Sequence, residues 1–468
     1  MNPINPSLAA FQGLGPGLSA LGFAPFAVLL GVIAVFPLVP STESWWGSNR
    51  NKALVALLCA LAGVGYFLAN RGGAPRLEET LLDYLTFMAL LASLYVVCGG
   101  IHISGAFAGL PTTNTLFLAL GALLANFMGT TGASMILIRP LLRANRRREH
   151  TAHIVIFFIF IVSNGGGLLT PLGDPPLYLG FLRGVPFAWT FRLFPHWLLL
   201  TAALLAVFYF IDEVLLKREG THLRHSLLEE VRQAERKLHV EGWRNLSFLA
   251  AILGVILAAG YWVYPAFARL YGDGVGRTCS EVFQILSMSF IALMSYDLTA
   301  PRMYRPGLPP PSSYAKNEFS MAAILEVGIL FFGIFGAMMP ALAILDAKGP
   351  SLPVSHAWQY FWGSGFLSSF LDNTPTYLTF STLAAGKAGL AGESLAALAG
   401  HFPRLLEAVA CGSVFMGANT YIGNGPNFMV KTIAEHSKVK MPSFFRYMLW
   451  SGCVLLPLFL LETLIFFR

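Results

Sequence analysis

Apolar residues along this chain come in long runs rather than in stripes. Windows such as residues 53–69 (ALVALLCALAGVGYFLA), 246–265 and 447–467 carry almost no charge. Runs of this kind approach or exceed the roughly 20 apolar residues a helix needs to cross about 30 Å of hydrocarbon. The pattern predicts crossing helices near residues 20–40, 53–69, 80–105, 150–181, 195–216, 246–266, 279–298, 318–344, 403–433 and 446–467. Two of these, 150–181 and 403–433, are too long and too rich in Gly, Pro and Asn to be single straight helices. Two further apolar stretches, 113–138 and 357–382, are interrupted halfway by ANFMGTTGAS and SSFLDNTPTY.

Each interrupted stretch reads either as one span or as a re-entrant hairpin that enters and leaves on the same side. Charge chooses between them, because Lys and Arg favour the cytoplasmic side of short loops. With two hairpins and ten full crossings, the loops 50–52, 139–148, 217–244, 302–316 and 431–446 share one face and hold 21 of the 31 Lys and Arg residues. Making either stretch alone a full crossing would flip every later loop. Both termini are therefore expected outside the cytoplasm, and the expected location is a bacterial inner membrane. The first 19 residues contain no Lys or Arg, so the first helix rather than a cleaved signal should direct insertion. Three regions follow: a first transmembrane repeat (1–216), a cytoplasmic linker (217–245) and a second repeat (246–468). In the linker, Leu223, Leu227, Val231, Ala234 and Leu238 recur at helical steps. They predict an amphipathic helix on the membrane surface or a soluble regulatory helix. The Pro-dense stretch 299–317 reads as an extended cytoplasmic connection.

Composition agrees with this reading. The chain is 55% hydrophobic and 12% charged, about half the charged share of a soluble protein. The net charge of +7 is spread over loops between spans and points to membrane topology, with the bilayer as partner, rather than to nucleic acid. Cys59, Cys98, Cys279, Cys411 and Cys453 are odd in number and lack Cys-x-x-Cys spacing. They suggest packing residues, neither a disulfide framework nor a zinc site.

The two halves share an internal match. Thr170, Gly173 and Pro176 of TPLGDPPLY coincide with Thr420, Gly423 and Pro426 of TYIGNGPNF at a constant offset of 250 residues, and Asp174 faces Asn424. More weakly, NFMGTTGA (126–133) lies over SFLDNTPT (369–376), with Phe127 over Phe370 and Thr131 over Thr374. Five crossings per half is an odd number, so the second half should enter the membrane inverted. The expected fold is an all-α integral membrane protein of two inverted repeats, each with a re-entrant hairpin (113–138, 357–382) and a discontinuous helix (150–181, 403–433). Matching breaks of this kind point to a transporter whose site lies near the midplane. Unwound backbone is tolerated in hydrocarbon only where protein or a water-filled cavity satisfies it. The segments 126–134, 163–176, 369–376 and 417–427 should therefore converge on one site.

Asp372 and Asp174 are the principal candidates, since an acid at bilayer depth costs roughly 2.5–3.5 kcal/mol on insertion scales. Burial favours the neutral acid and a nearby cation favours the carboxylate, so such a group can exchange a proton for Na⁺. Both are candidate Na⁺ ligands; the competing reading for each is capping of a helix break. Asn126, Thr130, Thr131, Ser163, Asn164, Thr170, Asn373, Thr374, Asn419, Thr420, Asn424 and Asn427 supply neutral oxygens of the kind hard cations prefer, or else cap half-helices. Gly165, Gly166 and Gly167 read as a bare turn. Glu326, inside an apolar span, is a candidate proton relay or a paired structural acid. His153 reads as an interface residue, and Trp45, Trp46 and Trp189 as interfacial anchors.

On FLDNTPT (370–376), LGDPP (172–176) and GANTYIGNGPN (417–427), with supporting architecture over nearly the whole chain, the sequence resembles the ion transporter superfamily. That group includes divalent-anion/sodium symporters, citrate transporters, arsenite efflux pumps and D-type sodium/proton antiporters. The resemblance implies a scaffold domain that forms a homodimer and a mobile domain bearing the hairpins. The first hairpin departs from the family signature: GTTGAS offers no acid, which counts against a second sodium site of equal strength. The expected activity is secondary transport, with no enzymatic reaction and no cofactor beyond Na⁺ or H⁺ as coupling ions. The first hypothesis is exchange of Na⁺ or another small monovalent cation for protons; the alternative is Na⁺- or H⁺-coupled transport of citrate or a dicarboxylate. A channel or a non-transporting membrane protein ranks third, because a passive pore needs no alternating access.

Overall fold

The computed structural model describes residues 20–37, 39–70, 74–105, 107–220, 224–227, 229, 239–299, 313–317, 319–348, 351, 353–390 and 394–468. Among the described residues, nine helices are long and apolar enough to cross a membrane: Asn49–Ala69, Arg76–Gly99, Pro111–Ala144, Ala152–Leu169, Phe187–Arg218, Asn245–Tyr271, Asp273–Thr299, Ile324–Leu345 and Phe444–Phe467. A shorter apolar helix, Leu21–Val35, precedes them. The stretch anticipated as a crossing at 403–433 is divided into Pro403–Met416, a 3-10 turn Gly417–Asn419 and Gly425–His436. Neither helical piece alone reaches the ~20 residues a span requires. The chain is thus an α-helical integral membrane protein.

Its packing is that of a membrane protein. Ala152–Ile161 is buried on nearly every side, and its neighbours wrap around it. The outward faces of Asn49–Ala69, Asp273–Thr299 and Phe444–Glu462 expose Leu58, Leu61, Leu286, Phe290, Leu449 and Leu460. In water such a surface would be an aggregation hazard; in lipid tails it loses nothing. Lipid also removes the hydrophobic drive between helices, so close backbone approach must hold them together. Helices Asn49–Ala69 and Ala322–Lys348 show how: a Cβ on Gly63 would lie 2.7 Å from the Ala337 Cα, and one on Gly333 2.7 Å from the Ala56 Cβ.

Several expectations need correction. The helix expected to run to residue 105 stops at Gly99. Asn317 Nδ2 donates to the carbonyls of Gly99 (2.9 Å) and Ile101 (2.6 Å), satisfying groups that a longer helix would have paired. His102–Ser104 then forms an antiparallel ribbon with His239–Glu241, His102 opposite Glu241. The end of the linker is therefore a strand rather than helix. Leu223, Val231, Ala234 and Leu238 lie outside the described residues, as do 300–312 of the Pro-dense stretch; Leu227 is buried against Ala108 and Leu216. Trp45 is exposed, but Trp46 and Trp189 are buried, and Trp189 Nε1 donates to the Ala399 carbonyl at 3.2 Å. These two rings are core rather than anchors. His153 is likewise buried, held inside by the carboxylate of Asp212 described below.

The two interrupted stretches are both broken. Pro111–Ala144 is helical except at Gly129, whose φ of 75° and ψ of 155° belong to a region open to glycine alone. Ala357–Ser368 and Asn373–Lys387 are separate helices. Asp372 caps the second by accepting a hydrogen bond from the Thr374 N–H at 3.0 Å.

Candidate functional site

The four segments 126–134, 163–176, 369–376 and 417–427 meet in the interior. Each broken helix is built alike. Helix Ala152–Ile161 gives way to the turn Gly165–Leu169, then an extended Thr170 (φ −140°, ψ 156°) and Asp174 (φ −141°, ψ 140°) before Pro175–Leu182 starts. In the second, Thr420 (φ −136°, ψ 166°) and Asn424 (φ −149°, ψ 143°) repeat those torsions before Gly425–His436. Both crossings require glycine. A Cβ on Gly173 would fall 2.1 Å from the Gly167 carbonyl oxygen, and one on Gly423 2.4 Å from that of Gly417.

Matching hydroxyls tie each break to its neighbour. Thr170 Oγ1 donates to the carbonyl of Asn126, and Thr420 Oγ1 to that of Ser369. The two acceptors, Asn126 and Ser369, are the positions that coincide when 126–133 is laid over 369–376. Asn126 Oδ1 also accepts from the Leu169 N–H at 2.8 Å, and Asn419 Nδ2 donates to Ser369 Oγ at 2.9 Å. Unpaired backbone and amide groups at such breaks are costly in hydrocarbon, and the side chains Asn, Ser and Thr satisfy them locally.

Asp174 sits where the two halves join. Its Oδ1 accepts from Thr130 Oγ1 (3.0 Å) and its Oδ2 from Asn373 Nδ2 (2.8 Å); Asn373 Oδ1 in turn accepts from Ser368 Oγ at 2.7 Å. Around it, Asn164 Nδ2 donates to Asn427 Oδ1 (2.7 Å), and Asn424 Nδ2 donates to Asn164 Oδ1 and the Ser163 carbonyl (3.1 Å each). Asn427 Nδ2 closes its own break by donating to the carbonyls of Gly417 (2.8 Å) and Thr420 (3.0 Å). Ser163 and Ser134 hydroxyls share a hydrogen bond of 2.9 Å. Asp174 is buried and both its oxygens are occupied. Asp372 is only half-buried and keeps one carboxylate oxygen beyond its cap. Thr131 is also half-buried.

The two halves differ in one respect. Thr374 Oγ1, Ser413 Oγ and Asn419 Oδ1 are buried and make no hydrogen bond, whereas every sequence-predicted side chain of the first half except Thr131 is engaged as above. Buried polar atoms are nearly always satisfied in native proteins. These unpaired oxygens all lie in the second half, that of Thr374 two residues along the chain from the half-buried Asp372.

Glu326 lies apart from this centre. Its Oε1 takes a hydrogen bond from Lys52 Nζ at 2.6 Å, and its side chain is 43% exposed; it is paired on the outer face of the bundle, away from the broken helices.

Two polar clusters were not anticipated from the sequence. In one, Arg148 donates to Asp212 Oδ1, Glu219 Oε2 and the Gly109 carbonyl, each at 2.8 Å, while Asp212 also meets His153 Nε2 (3.0 Å) and Asn114 Nδ2 (2.8 Å). In the other, Asp83 lies 2.9 Å from both Arg183 and Arg277, and Arg277 also pairs with Glu281 at 2.9 Å. Most members of each cluster are dispersed along the chain, and only Arg277 and Glu281, four residues apart on one helix, have a local spacing. The other sequence signal was an acid inside an apolar run, Asp83 in Ala74–Gly99 and Asp212 in Phe194–Arg218.

A bundle of apolar helices with two interrupted helices enclosing a shared polar centre defines a membrane transport protein. Residues 16–467 match the protein family described as "Putative citrate transport", and the chain belongs to that family, within the citrate transporter-like ion transporter superfamily. No curated protein matches it.

Proposed function

We propose that this transporter carries a carboxylate such as citrate, coupled to a cation, by alternating access between two inverted repeats. The observation that carries the reading is the unpaired oxygens of Thr374 and Asn419, the first lying two residues along the chain from the half-buried Asp372 and the second on a side chain bonded to Ser369. Oxygen donors with one carboxylate suit a hard monovalent cation such as Na⁺. A cation there would offset an anionic substrate, which half-helix N-termini such as those at Asn373 and Gly425 would hold through N–H groups and dipole. The description of the family supports a carboxylate as substrate. The repeated torsions and the paired Thr170 and Thr420 contacts support two repeats of common design. The odd number of crossings per half in the sequence reading supports their inversion, with Pro111–Ala144 and 357–387 as re-entrant hairpins.

Cation/proton exchange is the second reading, and one observation favours it: the four segments contain no Lys or Arg. Proteoliposomes separate the two. Uptake of radiolabelled citrate or succinate that depends on a Na⁺ or proton gradient supports carboxylate transport. Dissipation of a pH gradient by alkali cations, with no carboxylate uptake, would replace it with exchange.

A further inference from the structure

Away from the central site, three side chains from three distant parts of the chain converge. His196 lies at the start of Phe194–Arg218, Cys411 within Pro403–Met416, and Glu462 at the end of Phe444–Glu462. One imidazole nitrogen, the sulfur and a carboxylate oxygen all lie within 4.8 Å of one another, and all three residues are buried. His196 Nδ1 is hydrogen-bonded to Glu462 Oε1, yet Glu462 Oε2 is buried with no partner. The rings of Phe466 and Phe467 close over the imidazole at 4.2 and 5.1 Å between centroids. Of the charges around it, Arg192 pairs with Glu407 at 2.9 Å and Arg404 donates to the Phe466 carbonyl at 2.7 Å.

We propose that His196, Cys411 and Glu462 bind one divalent transition-metal ion, of which Zn²⁺ is the type case. Nitrogen, thiolate and carboxylate are the donors zinc takes, and three protein ligands leave the fourth position to the second carboxylate oxygen or to water. Charge argues the same way. A dication with one thiolate, one carboxylate and a neutral imidazole sums to zero, and a neutral complex is the form a low-dielectric interior accepts. A proton shared between His196 and Glu462 explains their contact but leaves Oε2 without a partner and gives Cys411 no part. Because the ligands come from three separate helices, the ion would fasten the last helix to the second broken helix, and its binding energy would count toward folding.

The test is metal content and cobalt spectroscopy on untagged protein purified in detergent without chelator from zinc-supplemented cells. The wild type should retain about one Zn²⁺ per chain. Protein produced with Co²⁺ instead should show tetrahedral d–d bands and a thiolate-to-cobalt charge-transfer band. Cys411→Ser should lose the charge-transfer band, Glu462→Gln should lower the retained metal at least ~10-fold, and Cys453→Ser should change neither. Wild-type protein without zinc and without a cobalt spectrum overturns the proposal. So does metal retained undiminished, with its charge-transfer band, in Cys411→Ser and Glu462→Gln. The wild-type cobalt spectrum decides the matter even if a variant fails to fold.

Discussion

Asp174 and Asp372 occur in equally apolar surroundings, yet their contacts assign them different work. Asp174 joins Thr130 of one half to Asn373 of the other. Asp174→Ala leaves both donors buried and unpaired, at a cost of about 1–3 kcal/mol for each; the measurable result is a lower unfolding midpoint in detergent together with lost transport. Asp372→Asn keeps an oxygen to cap Thr374 and so should keep the melting temperature within a degree or two. Its gradient-driven uptake should fall at least ~10-fold, because a neutral amide binds Na⁺ far less well. Normal coupled uptake by that variant would remove Asp372 from the cation site. Candidates for both roles were readable from the sequence, since an Asp or Asn within an apolar run is conspicuous. Which oxygens are already taken was not, because that depends on contacts such as Asp174 to Asn373 between halves of the chain.

At the level of elements, the breaks were legible and their supports were not. Gly, Pro and Asn inside an apolar run announce an interruption, and the offset of 250 residues paired one with the other. Gly173→Ala would place a methyl 2.1 Å from the Gly167 oxygen. It should therefore abolish folded expression, while Gly452→Ala, where nothing lies within 4 Å, should not; fluorescence-detected size exclusion compares them. The Arg148 cluster is assembled by tertiary packing alone. Removing one partner of a buried ion pair costs about 3–5 kcal/mol, so Arg148→Ala, which takes the guanidinium from both Asp212 and Glu219, should lower the melting temperature more than any single change on the lipid face. The ribbon at 239–241 has a smaller, acid-sensitive tie. Lys316 donates to both oxygens of Glu241 at 2.6 Å and holds that carboxyl below its usual range. A carboxyl depressed in the folded state stabilises it above the unfolded value, about 4.3 for Glu, and that contribution is lost as pH falls further. Amide protection factors at 102–104, with exchange rates corrected for their intrinsic pH dependence, should fall on acidification through that range, modestly, since the pair is partly exposed.

Taken whole, the molecule was recognisable as a membrane protein from hydropathy alone, and nine apolar helices among the described residues bear that out. Where the spans end was less legible: the strand at 102–104 interrupts what hydropathy extends to residue 105, because Ile101 and Ile103 score as membrane residues in any setting. The basic loops predict orientation, with 139–148 and 431–446 cytoplasmic. Cysteines introduced at Arg146 and Lys438 in a variant lacking its native cysteines should resist an impermeant maleimide in whole cells and react once the membrane is opened. Labelling of intact cells would reverse the topology.

The Asp83 cluster sets a condition on the proposed alternating access. Arg183 ends the helix that Asp174 begins, whereas Asp83, Arg277 and Glu281 stand on Ala74–Gly99 and Asp273–Thr299. A broken helix that travels relative to those two must pull a guanidinium off its carboxylate and replace the contact with water or another acid. In the proposed cycle that contact would act as a latch. Arg183→Gln should loosen the latch, giving faster but less thermally activated turnover, read as a shallower slope when uptake is measured against temperature.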